Sequence, residues 1–254
     1  MLEIVILPVL TDNYIYLVHD SLSKETAAID PALAQPVLQA LDQKGWRLAW
    51  IFNTHHHADH VGGNLELKQK TRCQIIAAET DKDRIPGIDR GVNEGDFVSL
   101  GRHTARVIAT PGHTRAHIVF HFAEDNRLFC GDTLFVMGCG RLFEGTAEQL
   151  WRSLQKLKAL PPQTQVYCTH EYTQTNGRFA ITVEPENQQL RERMVAVDRL
   201  RRDNLPTVPT TIAEEMATNP FFREDSEALQ KSLGMENRNP VEIFAKLRQL
   251  KDSF

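Results

Sequence analysis

The sequence predicts an α/β domain over residues 1–172 followed by a small all-helical domain over residues 173–254. Three observations carry this. The first two-thirds alternates short runs rich in Val, Ile, Leu and Tyr with loops and a few helices. Beyond Thr173 the pattern becomes helical, with segments separated by Pro206, Pro209, Pro220 and Pro240. Finally, 254 residues of 41% hydrophobic composition are enough for one large domain or for a domain with a smaller partner.

The elements follow in order. Residues 4–9 and 14–19 flank Thr11-Asp12-Asn13 and read as paired strands around a turn. Residues 1–8 lack a basic stretch and a small-residue cleavage site, so they read as a strand rather than a signal peptide. A strand over 27–29 stops at Asp30-Pro31. Residues 36–44 set Val37, Leu38 and Leu41 on one face of a short helix closed by Gly45. The apolar run 48–52 is too short for a helix and reads as a buried strand, and 64–71 as a helix. Further strands are expected over 74–77, 104–109, 116–122, 127–130 and 165–168. Four of them end at loops holding a candidate ligand or turn residue: Pro111-Gly112-His113-Thr114, Asp125, Gly131-Asp132-Thr133 and Thr169-His170. Helices are expected over 177–183, 186–204, 211–217, 224–233 and 240–251.

Composition narrows the function. Lys+Arg 29 against Asp+Glu 33 gives a net charge of -4, which argues against a partner that is nucleic acid or an anionic membrane. Residues 173–254 hold 12 Lys+Arg against 13 Asp+Glu, so no basic stripe awaits a phosphate backbone. No run of 18 apolar residues occurs to span a bilayer. Cys73, Cys130, Cys139 and Cys168 form no Cys-x-x-Cys pair and read as reduced thiols of a cytoplasmic protein. No obligate protein partner is evident.

The chemistry concentrates at Thr54-His55-x-His57-x-Asp59-His60, directly after the 48–52 strand. A histidine-rich surface loop is the bland alternative. Four chemically specific side chains between a buried strand and Gly62-Gly63 argue against it. Imidazoles with a carboxylate suit a pair of divalent ions, zinc above all, with iron or manganese also fitting. The expected assignment puts His55, His57 and His113 on one ion and Asp59, His60 and His170 on the other. Asp132 bridges the two, having two carboxylate oxygens. Two ions about 3.5–4 Å apart share a hydroxide that serves as nucleophile at neutral pH. His56 reads as pointing away from the ions, and His117 as either orienting a ligand or packing in the core. His19, His103 and His121 read as surface or half-buried.

These residues resemble the metallo-β-lactamase superfamily, whose signature is Thr54-His55-x-His57-x-Asp59-His60. More narrowly, the chain is similar to the glyoxalase II (hydroxyacylglutathione hydrolase) family. That match rests on Asp12-Asn13-Tyr14, Gly131-Asp132-Thr133-Leu134-Phe135, the stretch from Gly138-Cys139-Gly140-Arg141-Leu142-Phe143 to Thr146, His170-Glu171-Tyr172-Thr173, Asn219-Pro220-Phe221 and Arg248-x-x-Lys251-Asp252-x-Phe254. The resemblance implies a four-layer αβ/βα sandwich bearing the metals and a helical C-terminal substrate-binding domain. It also implies hydrolysis of S-D-lactoylglutathione to glutathione and D-lactate, the second step of methylglyoxal detoxification. Asp59 and Asp132 would orient the bridging hydroxide, and Arg141, Phe143, Tyr172, Arg248 and Lys251 would contact glutathione. Arg141 and Phe143 stand where the animal enzymes have Lys and Tyr, and Ala116 where many members have Gly. Arg248 and Lys251 are three apart on the expected last helix, hence on one face, where they could clamp a carboxylate. Another hydrolase of the superfamily, a lactonase or a nuclease, is the alternative.

Overall fold

In the computed structural model the described residues are Leu2–Phe254. By their contacts they form two units: residues up to Ala109 with Ala116–Gly131, and Thr110–Arg115 with Asp132–Phe254.

The first unit opens with strands β1 (Leu2–Val9), β2 (Asn13–Asp20) and β3 (Glu25–Ile29), antiparallel to one another. Helix α1 (Ala34–Lys44) then crosses over to β4 (Arg47–Phe52), which pairs in parallel with β3. A parallel pair requires such a crossover, and α1 supplies it. The helix stops at Gly45, whose φ of +64° returns its N–H to Asp42 O. The short α2 (Ala58–Val61) and α3 (Asn64–Thr71) lead to β5 (Gln74–Ala78) and β6 (Arg90–Val92), completing a six-stranded sheet in sequence order. Val37 and Leu41 of α1 and Leu67 of α3 pack on Leu17, Ile51 and Ile75 of this sheet. On its other face lie β7 (Phe97–Leu100), β8 (His103–Ala109), β9 (Ile118–Phe122) and β10 (Arg127–Gly131), joined as antiparallel neighbours. The faces meet through Phe52–Phe120 at 5.1 Å and Tyr16–Phe129 at 5.6 Å between ring centroids. Covered on both faces, β2 is buried at every position.

The second unit holds the hairpin β11 (Leu134–Phe135) and β12 (Gly138–Cys139), helix α4 (Ala147–Lys158) and strand β13 (Gln165–Cys168). Then come α5 (Thr173–Val183), α6 (Gln188–Arg202), β14 (Thr210–Thr211) paired with β13, α7 (Ile212–Thr218), α8 (Glu227–Leu233) and α9 (Pro240–Asp252). Asparagine side chains at 187 and 239 cap α6 and α9 by accepting from Leu190 N and Val241 N.

Several features differ from the expectations. The strand expected over 116–122 begins at Ile118, because Arg115 and Ala116 lie in a turn. Strands β6 and β7 and helix α4 were not anticipated. The signal for α4 was present: Thr146 and Gln149 form a capping box, and Leu150, Leu154 and Leu157 share the buried face. His19 and His121 are buried rather than surface residues; His19 stacks on Trp46 at 4.1 Å. Burial lowers the pKa of both, aided at His121 by the charge of Arg106.

Candidate metal centre

Each unit carries part of the donor set. In the first, β4 delivers the chain to Asn53, which ties the following loop at both ends. Its N–H donates to Ile76 O at 2.9 Å and its side-chain amide to His60 O at 3.0 Å. Asp30, at the end of β3, then organises the candidate ligands. Its Oδ1 accepts from Thr54 N and its Oδ2 from Thr54 Oγ1. The single hydroxyl proton of Thr54 is thereby committed, so Thr54 Oγ1 accepts from His55 Nδ1 at 3.1 Å. His60 Nδ1 lies 3.1 Å from Asp30 Oδ2 and donates to it. Both rings are fixed in the tautomer that keeps Nε2 as the electron-pair donor a metal requires.

The loop donors converge. His55 Nε2 lies 3.0 Å from His57 Nδ1, and His60 Nε2 lies 3.6 Å from Asp59 Oδ2. The Asp59 carboxylate is held by Asn13 Nδ2 at 3.0 Å. His56 turns to Asp81 and Arg84, as its position in the motif suggested. His117 is buried and stacks on His55 at 4.8 Å. Gly131, with φ of +50°, lies so close to Thr54 and His117 that a Cβ there would collide with both.

The second unit presents His113, Asp132 and His170, all at least nine-tenths buried. His113 sits in a loop fixed by Ser153 Oγ donating to Pro111 O and by Phe143 N donating to His113 O. Its Nδ1 donates to Arg141 O at 2.9 Å, leaving Nε2 as the electron-pair donor. Asp132 Oδ2 stands 3.4 Å from His113 Nε2 and 3.5 Å from His170 Nε2. These separations are long for hydrogen bonds. They match ligands of a common ion, since donors about 2.0–2.2 Å from a tetrahedral metal stand about 3.3–3.6 Å apart. The donor chemistry of both units fits divalent metals.

The candidate substrate residues lie in the same unit as Asp132. Tyr172 stacks on His170 at 4.8 Å and 4°, and Phe143 sets its ring edge-to-face with His113 at 5.2 Å. Arg141 is exposed, its Nε 3.9 Å from Asp252 Oδ1. Lys251 is half-buried against Phe179 and Phe254. Burial, with the charges of Arg248 and Arg141, lowers its pKa from the ordinary lysine value. Arg248 is buried, and NH1 donates to Cys139 O at 2.9 Å while Nε and NH2 meet Asp252 Oδ1.

The hairpin joining Asp132 to Arg141 is held from the helices. Asn176 donates to Val136 O, Asn219 to Phe135 O and Gly138 O, and Glu215 accepts from Met137 N. Sequence reasoning missed Asp30 and Glu215 as organisers. The one trace of Asp30 was its place at a strand end before Pro31. The four cysteines are buried and form no disulfide, and burial pushes Cys139 up to about 11 and Cys168 up to about 12, well above the range in which a thiol ionises at neutral pH. Among the described residues, no helix is long and apolar enough to cross a membrane.

Comparison with known proteins agrees. Residues 13–170 match the model of the metallo-beta-lactamase superfamily, and residues 171–254 that of the hydroxyacylglutathione hydrolase C-terminus. The hydroxyacylglutathione hydrolase of Methylococcus capsulatus is 56% identical over 254 residues, covering 100% of this chain and 99% of its own length. That of Rhodospirillum rubrum is 54% identical over 253 residues, again covering 100% and 99%. Among solved structures, ETHE1 from Myxococcus xanthus matches with a TM-score of 0.65 at 26% identity, covering 100% of this chain and 99% of that one. TTHA1623, solved in a di-iron-bound form, matches with a TM-score of 0.61 at 26% identity over 86% of this chain and 99% of that one. With donors suited to divalent ions at the strand ends of a metallo-β-lactamase fold, and with relatives matched over their full length, the chain belongs to the hydroxyacylglutathione hydrolase family of the metallo-β-lactamase superfamily.

Proposed function

We propose that this chain hydrolyses S-D-lactoylglutathione to glutathione and D-lactate at a binuclear metal centre. His55, His57 and His113 would hold one divalent ion, and Asp59, His60 and His170 the other, with Asp132 shared. Zinc suits this largely imidazole set best, with iron or manganese also fitting. Residues 1–172 act as the catalytic domain and residues 173–254 as the substrate-binding domain. Two things support uniting the donors: Asp132 directly follows Gly131, whose backbone packs on Thr54 next to His55, and the relatives bear the name of this hydrolase.

One observation carries the substrate assignment. The rings of Phe143 and Tyr172 each lie against a ligand histidine, His113 and His170, in the unit that also holds Arg141, Lys251 and the buried Arg248. A glutathione thioester has two terminal carboxylates that such cations recognise, and amide planes that can lie against the aromatic rings. Arg141 and Lys251 bind carboxylate, while Arg248 adds charge as it holds Cys139 and Gly140. Asp59, steadied by Asn13, and Asp132 orient the attacking water toward the thioester carbonyl. When bound, divalent ions held by these residues would polarise that carbonyl and lower the pKa of the attacking water. Water adds to the carbonyl carbon and gives up a proton to solvent, the C–S bond breaks, and the departing thiolate takes up a proton, leaving lactate as its carboxylate. Because a thiolate leaves readily, no strong general acid is required. Four buried cysteines that form no disulfide fit a cytoplasmic location.

The test is to offer metal-loaded protein S-D-lactoylglutathione, a homoserine lactone and RNA in parallel. Thioester absorbance should fall while the other two persist. Asp132→Ala should abolish turnover and lower metal content. Loss of the lactone or RNA with the thioester intact would overturn the substrate assignment.

A further inference from the structure

The two oxygens of the Asp132 carboxylate are chemically equivalent, yet their surroundings differ. Oδ2 faces both His113 Nε2 and His170 Nε2, at 3.4 and 3.5 Å. Oδ1 accepts the hydroxyl proton of Thr169 at 2.5 Å. Nothing within an aspartate selects one oxygen, since its last torsion is broad and two-fold. Selection therefore comes from outside, and Thr169 is built to impose it. The residue is buried, follows Cys168 at the end of β13, and directly precedes His170. A β-branched side chain is stiff about its first torsion, so the hydroxyl is a fixed donor rather than a searching one. One strand end thus delivers a candidate ligand and, beside it, the group that orients the shared carboxylate.

We propose that Thr169 is a positioning residue that fixes which oxygen of Asp132 the two metal sites share, reserving Oδ2 for both and withholding Oδ1. This rests on the binuclear reading above. A carboxylate offering one oxygen to each ion would hold them further apart than one sharing a single oxygen, so the Thr169 hydroxyl sets the spacing of the pair.

The experiment compares wild type, Thr169→Val, Thr169→Ala and Thr169→Ser. Each is titrated with manganese after chelation, with metal equivalents per chain and spin coupling between the two ions read by electron paramagnetic resonance, alongside kcat and KM. Thr169→Val keeps the shape of threonine and loses the hydroxyl. It should weaken the second equivalent about 10–100-fold, diminish the spin coupling and lower kcat by a similar factor, with KM little changed. Thr169→Ala should do the same, and guards against a valine that misfolds. Thr169→Ser should restore occupancy, coupling and kcat. If folded Val and Ala variants keep two equivalents, the coupling and kcat, the positioning role is overturned. It is also overturned if serine fails to restore what they lose. A wild type that binds a single equivalent would instead sink the binuclear reading, and the role of Thr169 with it.

Discussion

Asp30 grips Thr54 twice: Oδ1 accepts the Thr54 backbone N–H at 2.8 Å and Oδ2 accepts its hydroxyl at 2.7 Å. The second oxygen also receives His60 Nδ1, so one carboxylate at the end of β3 sets both the start of the ligand loop and a ring within it. Asp30→Asn should keep the backbone, since asparagine tolerates the φ of +47° found there. It replaces an acceptor by a donor, and metal affinity should fall about 10–100-fold, measured by competition with a chelator.

The cationic face predicts a split between binding and turnover. Arg141→Ala and Lys251→Ala should each raise KM about tenfold and leave kcat within about twofold, because on the proposed reading both would bind substrate away from the reacting bond. Added salt should raise the wild-type KM and compress the difference. Lys251 loses its proton at lower pH than an ordinary lysine, because burial and two arginine charges oppose it. Wild-type KM should therefore begin to rise on the alkaline side below the ordinary value of 10.5, whereas that of Lys251→Ala stays flat.

Glu215 is fully buried and accepts from Met137 N at 2.8 Å, Thr210 Oγ1 at 2.7 Å and Arg193 NH2 at 2.7 Å. Glu215→Ala should strand the Arg193 charge and a backbone donor, lowering unfolding free energy by about 3–5 kcal/mol. Glu215→Gln retains an acceptor and should lose less. Urea denaturation at constant metal concentration checks both.

His121 gives the pH dependence of the fold a readable component. Its pKa is lowered by burial and by Arg106, so the unfolded chain binds the proton more tightly than the folded one. Stability contributed at this position is present above the ordinary value of 6.5 and declines as pH falls through it. His121→Leu should raise the urea midpoint relative to wild type, and by more at pH 5 than at pH 8. Equal shifts at both values would remove this residue from the acid response.

The ligand loop was readable in the chain because His55, His57, Asp59 and His60 lie within six positions of one another after a buried strand. His113, Asp132 and His170 were legible as candidates for a related reason, as polar residues after apolar strands. Histidine burial was misread. His19 and His121 are polar by type, and the groups that cover them, Trp46 for the first, come from other elements.

What the linear chain determined on its own was local: strand runs, helix periods and caps, and which side chains are candidate metal donors, all set by spacing within one element or its turn. What only tertiary structure decided was how those donors are aimed. Asp30 lies 24 positions from Thr54, Thr169 lies 37 from Asp132 and Glu215 lies 78 from Met137. A hydrogen bond depends on where folded backbones bring two atoms, and residue type alone carries no record of a partner so far along the chain.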